Sequence, residues 1–236
     1  MENLLFKKTI IWNGDSICAG SEISGNWSKR IAKNNEMICK NYAVGGGTIA
    51  QGFPICQGGE IRHSVLKTID TMYEEYPDAD FIVFEGGTND ADLIERGDGA
   101  DLSLGSVDFN DFSGNYKLST FAGCLETLFY KALKYWNGKK ICYIVAQKMG
   151  THPLQLRRRR DYFDMAVKIC KKWGIPYVDL WEGCYLNPTL SWMYNPEKTP
   201  DENSMENKCY YIDGQHLTGR GYDVTSEIIE KFLSRL

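Results

Sequence analysis

The chain has 236 residues, of which 43% are hydrophobic and 25% charged, a composition typical of a globular protein with one well-filled core. Its formal net charge of −4 disfavours nucleic acid as the main partner, and no run approaches the roughly 20 apolar residues that a membrane span needs. The N-terminal sequence lacks the features of an export signal, so we expect a cytoplasmic protein, or a secreted one if a signal was removed beforehand.

Short apolar runs alternate with longer segments of helical periodicity along the chain. This alternation is typical of βαβ units and a parallel sheet. The runs are rich in Ile, Val, Phe and Tyr without polar alternation, which favours strands buried on both faces. We therefore predict a single domain, 1–236, with an α/β fold, a three-layer αβα sandwich around a five-stranded parallel sheet. The predicted strands are residues 9–12, 37–42, 81–85, 140–146 and 176–179.

Apolar side chains spaced three and four residues apart predict helices between and after these strands. The predicted helical faces span residues 61–72, 121–136, 161–173 and 224–232. Thr218 is suited to cap the last helix. Four arginines at 157–160 precede Asp161 and Asp164, so we interpret them as a solvated helix start rather than an anion site. Eight scattered cysteines without a Cys-x-x-Cys pair indicate reduced thiols.

Two long segments interrupt the alternation of strands and helices. Residues 97–119 are rich in Gly, Asp, Ser and Asn, and residues 186–208 contain several Pro and Asn. Both follow predicted strands, so we expect both at the carboxyl edge of the sheet, where open α/β sheets bind their ligands. Loops of this length in a compact domain are usually functional or mobile.

Four short stretches lie just after predicted strands or just before the last helix. They are GDS (14–16), NYAVGGGT (41–48), GGTND (86–90) and DGQH (213–216). Ser16 is either an ordinary turn residue or a nucleophile, since Gly, Asp and Ser are common in turns. For acyl transfer, the backbone N–H groups of Ser16 and of glycines 45–47 and the amide of Asn89 are suited to stabilising one oxyanion.

A nucleophilic serine needs a base, and the chain has three histidines. His63 falls in a helical pattern away from any predicted strand end, which favours a structural role at the surface. His152 lies at the end of the fourth strand on the expected edge, but has no close acidic neighbour. His216 follows Asp213 by three residues, so that one turn can bring the carboxylate to Nδ1 and leave Nε2 for Ser16.

Together, the four stretches resemble the sequence blocks of the SGNH hydrolases, also called GDSL esterases and lipases, along nearly the whole chain. The resemblance implies a flavodoxin-like sheet and no metal or organic cofactor. It implies these roles: Ser16 as nucleophile, His216 as base, Asp213 as its orienting carboxylate, and the Ser16 and Gly46 N–H groups and the Asn89 amide as oxyanion hole, with Gly45 the alternative to Gly46.

Two features depart from the family pattern. Many members have Asp where this chain has Gly47, and the segment 97–119 replaces a shorter connection. The family's substrates therefore do not transfer directly.

We expect a serine carboxylic ester hydrolase that acts on a short-chain ester, with an acetyl group on a carbohydrate as the favoured substrate. The oligomeric state is left open, and no lipid-binding amphipathic segment points to a membrane partner. The alternatives are a lysophospholipase or acyl-thioesterase of the same fold, and a carbohydrate-binding protein that has lost catalysis. Six aromatic side chains suit stacking on sugars, although core packing accounts for most such residues: Trp12, Tyr42, Phe53, Trp181, Trp192 and Tyr194.

Overall fold

The computed structural model describes residues 3–51, 62–95, 102–205 and 209–236. Within them, five parallel strands form one sheet in the order β2-β1-β3-β4-β5. Each strand lies where an apolar run predicts it, with ends that differ by at most one residue. The strands are β1 (Thr9–Asn13), β2 (Ile38–Asn41), β3 (Phe81–Glu85), β4 (Lys140–Val145) and β5 (Tyr177–Asp179).

The burial of the strands depends on their place in the sheet. The central strands β1, β3 and β4 are buried along nearly their whole lengths, as their continuous apolar sequences predict. The edge strand β2 alternates between exposed and half-buried residues, and the other edge strand, β5, is half-buried throughout. The prediction that all five strands are buried on both faces is therefore wrong for the two edges, which have only one neighbouring strand.

Helices cover both faces of the sheet. Helix α2 packs against α9 on one face, while α3, α4, α5 and α6 pack against one another on the opposite face, as right-handed crossovers require. The αβα sandwich is thus confirmed. The helices are α1 (Ser16–Ala19), α2 (Trp27–Asn35), α3 (Val65–Glu75), α4 (Thr88–Glu95), α5 (Phe121–Tyr135), α6 (Pro153–Trp173), α7 (Leu180–Gly183), α8 (Pro200–Met205) and α9 (Gly219–Leu233). Thr218 caps α9, as predicted. Ile61, the first residue of the predicted helical face 61–72, lies outside the described residues.

Helix α6 begins earlier than its apolar pattern predicts. It starts at Pro153 rather than at residue 161, and His152 is its N-cap. The arginines at 157–160 therefore lie inside the helix, and Arg159 is only 1% exposed. Because successive helical residues point about 100° apart, one of four consecutive side chains faces the interior. The prediction of a fully solvated arginine run is wrong for Arg159.

The two long segments differ in where they lie. Residues 102–119 form no helix or strand, but Phe112 and Tyr116 pack edge-on against Trp173, with ring centroids 5.3 and 6.1 Å apart. Trp173 ends α6, towards the side of the sheet where β5 begins. Phe112 and Tyr116 therefore lie away from the carboxyl edge, contrary to expectation, whereas Ser103 pairs with Thr120, the N-cap of α5, on the expected side. Residues 97–101 lie outside the described residues.

The second segment does support the carboxyl edge. It includes α8, and the buried Asn203 donates hydrogen bonds from Nδ2 to the carbonyls of Asn195 at 2.9 Å and Ile212 at 3.1 Å. Residues 206–208 lie outside the described part. These bonds hold the start of the loop that leads into α9.

The cysteines behave as free thiols. Of the described ones, Cys39 is half-buried and the others are buried, and none is in a disulfide. Cys56 lies outside the described residues. This arrangement agrees with the absence of a Cys-x-x-Cys pair in the sequence, and the reduced state of the thiols stays a prediction. Among the described helices, none combines the length and the apolar character needed to cross a membrane.

Candidate active site

The turn after β1 is held by a buried carboxyl group. Asp15 caps α1, since its Oδ1 accepts a hydrogen bond from the N–H of Ile17 at 2.8 Å. The N–H of Asp15 donates to Oε2 of Glu85, at the end of β3, at 3.1 Å. A Cβ at Gly14 would lie 2.6 Å from that same oxygen, so only glycine fits there without a shift. Ser16 is thereby fixed at the first position of α1.

Ser16, His216 and Asp213 lie in one hydrogen-bonded line. Oγ of Ser16 is 2.9 Å from Nε2 of His216, and Nδ1 of His216 is 2.7 Å from Oδ2 of Asp213. The other carboxylate oxygen, Oδ1, accepts the N–H groups of Gln215 at 3.0 Å and His216 at 2.8 Å. One turn thus brings the carboxylate to Nδ1, as the spacing of the two residues predicts. This arrangement can pass a proton from the hydroxyl to the imidazole.

The Asp213–His216 pair is partly open to solvent, with side chains 41% and 36% exposed respectively. Partial burial alone raises the pKa of Asp213, but hydrogen bonds from the His216 side chain and backbone outweigh it and lower the pKa to about 2. The hydrogen bond to Asp213 raises the pKa of His216 above its ordinary value, although burial opposes that shift. Asp213 is therefore ionised and stabilises the protonated form of His216.

The second and third stretches lie against the Ser16 turn. The N–H of Val44 donates to the carbonyl of Gly14 at 3.3 Å, and Nδ2 of Asn89 donates to the carbonyl of Gly47 at 2.9 Å. Gly46 has a φ of +75°, in a turn closed by a 3.0 Å bond from the N–H of Gly47 to the carbonyl of Val44. All four predicted stretches therefore meet at the carboxyl ends of β1, β2 and β3.

Helix α1 differs from the sequence argument in one respect. It has only four residues, so it carries little macrodipole. Any stabilisation of negative charge at Ser16 would come from the individual N–H groups of this turn rather than from a helix dipole.

Comparison with solved structures places this architecture among known folds. A protein from Lactobacillus plantarum matches with a TM-score of 0.71 and 20% identity, with 98% of each chain covered. A lipase/acylhydrolase from Enterococcus faecalis matches with a TM-score of 0.58 and 18% identity, over 97% of this chain and 96% of that one. The chain has the SGNH-hydrolase fold.

A carbohydrate acetylesterase from Sinorhizobium meliloti has the same fold, with a TM-score of 0.63, 12% identity, and coverage of 97% of this chain and 99% of that one. No protein-family profile matches the sequence, and no curated protein matches it either. At these identities the likeness establishes the SGNH fold, whereas activity must be argued from the site.

Gly47, which replaces the Asp of many SGNH hydrolases, has a physical explanation. A Cβ at Gly47 would lie 2.9 Å from the carbonyl oxygens of Gly14 and Val44 and 3.0 Å from Cδ2 of His63. His63 fills this place, with Nε2 3.0 Å from Oδ1 of Asn13 at the end of β1. The predicted surface role of His63, away from any strand end, is therefore wrong. Burial lowers its pKa, which favours the neutral form.

Buried carboxyl groups beneath the candidate site were not assigned a role from the sequence. Asp90 accepts the N–H groups of Ile49 and Ala50 at 2.9 and 2.8 Å, and burial raises its pKa to about 7. Burial and the nearby charge of Asp15 raise the pKa of Glu85 well above its ordinary value, which favours its protonated form. A single Glu ending the apolar run FIVFE is the signal that could have revealed it.

A cavity of about 240 Å³ opens beside Ser16 and His216. Its walls include the apolar side chains of Ile212, Leu217 and Tyr222. Pockets for drug-sized ligands are usually larger, about 300–1,000 Å³, so this cavity suits a small substituent.

Proposed function

We propose that the protein is a serine esterase that hydrolyses short-chain esters. The observation that carries this proposal is the hydrogen-bonded line from Ser16 Oγ to His216 Nε2 at 2.9 Å and from His216 Nδ1 to Asp213 Oδ2 at 2.7 Å. Nucleophile, base and orienting carboxylate within hydrogen-bond reach are the geometric signature of activated-serine chemistry.

In the proposed mechanism, Oγ of Ser16 attacks the ester carbonyl while Nε2 of His216 takes the hydroxyl proton. The tetrahedral intermediate collapses as protonated His216 gives that proton to the departing alcohol oxygen, leaving an acyl group on Ser16. Water then attacks the acyl carbonyl, again with His216 as base, and the carboxylic acid leaves as Ser16 regains its proton. Asp213 holds the imidazole in the required tautomer throughout.

We assign the oxyanion hole to the backbone N–H groups of Ser16 and Gly46 and to the amide of Asn89. Asn89 supports this assignment because one of its two amide hydrogens is used on the Gly47 carbonyl, which orients the group and leaves the other hydrogen for a ligand. Gly46 is favoured over Gly45 because its φ of +75° lies in the region that favours glycine. Loss of one such donor typically raises the barrier by roughly 3 kcal/mol.

For the substrate, we propose an acetyl or similarly short acyl ester, with a carbohydrate as the favoured alcohol. The small cavity beside Ser16 supports a short substituent, and the solved relatives include an acetyl xylan esterase. Of the aromatic side chains considered for sugar stacking, Trp12 and Trp181 are buried in the core, whereas Trp192 is 66% exposed. Tyr194 lies against Gly214 in the loop between Asp213 and His216. Phe53 lies outside the described residues.

The variant Ser16→Ala tests the mechanism. We expect its hydrolysis of p-nitrophenyl acetate to fall by about 10⁴-fold or more, and we expect labelling by a fluorophosphonate probe to disappear. Ser234→Ala is the matched control, because Ser234 is an exposed residue after α9. Unchanged turnover in folded Ser16→Ala would refute the assignment.

A substrate panel tests the acyl preference. The panel consists of p-nitrophenyl esters from two to twelve carbons, acetylated sugars, a lysophospholipid and an acyl-thioester. Fastest turnover of acetyl esters supports the proposal, whereas turnover of long acyl chains alone would favour the lysophospholipase or thioesterase alternative. Sugar binding without hydrolysis or probe labelling would identify a carbohydrate-binding protein that has lost catalysis.

A further inference from the structure

Arg159 of α6 is a buried cation close to the proposed active site. Its side chain is 1% exposed, and Nη2 donates to Oδ2 of Asp92 in α4 at 2.6 Å and to Oε1 of Gln215 at 2.7 Å. A buried guanidinium needs such partners, because an unpaired charge in the interior is strongly unfavourable. Arg159 therefore connects two separate segments of the chain through one side chain.

Gln215 lies between the two members of the proposed acid–base pair. Its own N–H donates to Oδ1 of Asp213 at 3.0 Å, and its carbonyl accepts Nε2 of the buried Gln147, just after β4, at 3.2 Å. Gln215 thus holds the loop that carries Asp213 and His216 in place through two contacts. Its side chain binds Arg159, and its backbone carbonyl binds Gln147.

Asp92, the second partner of Arg159, lies on the helix that carries Asn89 of the proposed oxyanion hole. It follows Asn89 by three residues in α4, so the two side chains are neighbours on one helical face. Asn89 in turn donates to the carbonyl of Gly47. A continuous hydrogen-bonded path therefore runs from Arg159 through Gln215 to the base loop, and Asp92 anchors Arg159 to the helix that presents Asn89.

We propose that Arg159 is a positioning residue, which through Gln215 and Asp92 sets the placement of His216 relative to Ser16 and Asn89. The inference rests on the proposed esterase function. Arginine suits this role better than lysine, because its planar fork holds two acceptors in fixed directions. A small displacement of the base from the nucleophile is expected to lower the rate of the chemical step more than it weakens substrate binding.

The charge of Arg159 acts on the pKa of His216, so the pH profile of activity distinguishes the proposed role from a purely structural one. The groups that act on the pKa of His216 are Asp213 and Asp15, which raise it, and Arg159, which lowers it. Removing the positive charge should therefore raise the pKa of His216 and shift the acid limb of activity to higher pH. Arg159→Lys should leave that limb in place, because lysine retains the charge.

The experiment compares Arg159→Lys and four further full-length variants by kcat and KM for p-nitrophenyl acetate, by pH profile and by thermal midpoint. For Arg159→Met we expect kcat about 10²-fold lower with little change in KM, and an acid limb at higher pH. For Gln215→Ala, which retains the Arg159–Asp92 pair, we expect a fall of about tenfold. Gln215→Glu retains the acceptor oxygen and should recover most of kcat. Arg160→Met is the matched control, because Arg160 pairs with Asp164 and Glu182, which are exposed, and with Asp179, and its side chain pairs with none of the residues of the proposed path.

The results separate the two proposals. If the wild-type chain is not labelled by a fluorophosphonate, the esterase proposal fails. If it is labelled and active but folded Gln215→Ala retains wild-type kcat, the positioning role of Arg159 is refuted. Should Arg159→Met not fold, Gln215→Ala and Arg159→Lys still decide the question. Equal losses in Gln215→Ala and Gln215→Glu would also overturn it, because the acceptor oxygen would then be irrelevant.

Discussion

The substitution Asp213→Asn isolates what the orienting carboxylate contributes to the proposed mechanism. The amide oxygen can take the place of Oδ1 and keep the two backbone bonds from Gln215 and His216, at 3.0 and 2.8 Å. The amide nitrogen then faces Nδ1 of His216, where a carboxylate oxygen now accepts at 2.7 Å. The amide nitrogen and a protonated Nδ1 are both donors, so the imidazole must carry its proton on Nε2 instead. In that tautomer it cannot accept the proton of Ser16.

The expected loss follows from this tautomer change and from the exposure of the pair. In a buried triad, the same change lowers kcat by about 10⁴-fold. Here the carboxylate side chain is 41% exposed, so solvent screens part of its effect and can stabilise the productive tautomer. We therefore expect a decrease of about 10³-fold in kcat/KM, which corresponds to roughly 4 kcal/mol of barrier.

The assay is the kcat/KM of p-nitrophenyl acetate hydrolysis, with folding followed by near-UV circular dichroism. Asp213→Ala should lose at least as much activity, because it also removes the backbone bonds that shape the loop. Asp223→Asn is the control, since Asp223 pairs with Arg30 at the surface of α9. A folded Asp213→Asn protein within tenfold of the wild-type rate would contradict the role assigned to Asp213.

Three further predictions concern proton binding and packing. Activity should fall as pH drops through the pKa of His216, with a midpoint above about 6.5 because Asp213 raises that pKa; a pH profile of kcat/KM measures it. Burial raises the pKa of Glu85, so its contribution to stability is greatest below about pH 4.5 and is lost as pH rises towards the folded-state value. Glu85→Gln should flatten this decline in urea unfolding between pH 5 and 9, and an unchanged slope would contradict it. Gly47→Ala places a Cβ 2.9 Å from two backbone oxygens and should lower the free energy of unfolding by about 1–3 kcal/mol. A Cβ at Gly45 would meet no atom within 4 Å, so the control Gly45→Ala should have the wild-type midpoint of urea unfolding.

Local sequence was sufficient for the central strands and for the contact between Asp213 and His216. Apolar runs mark strands because buried parallel strands exclude polar side chains, so β1, β3 and β4 could be read directly. The Asp213–His216 contact could be predicted because three residues within one turn need no knowledge of the rest of the fold. The edge strand β2 differs, because it carries Lys40 in its interior, whereas the interior residues of β1, β3 and β4 are all apolar. The pairing of the strands then shows that β2 has only one neighbour.

Other features depended on contacts between residues far apart in sequence. Arg159 sits in a run of four arginines, and only the packing of α6 against α4 and the Gln215 loop decides which of them is buried. The segment after α4 was expected at the carboxyl edge, but aromatic contacts hold its middle residues, Phe112 and Tyr116, against Trp173 at the end of α6. Side-chain packing of this kind has no local periodicity, so no short window of sequence contains it.

The sequence by itself determined the positions of the strands, the four short stretches that follow them or precede the last helix, and the pairing of Asp213 with His216. Each of these features is encoded within a few consecutive residues. Only the tertiary structure decided that Ser16 lies 2.9 Å from His216, 200 residues away along the chain. It also decided that His63 takes the space an Asp at position 47 would need. Both depend on how the parallel strands bring distant loops to one edge, and that is a property of the assembled sheet.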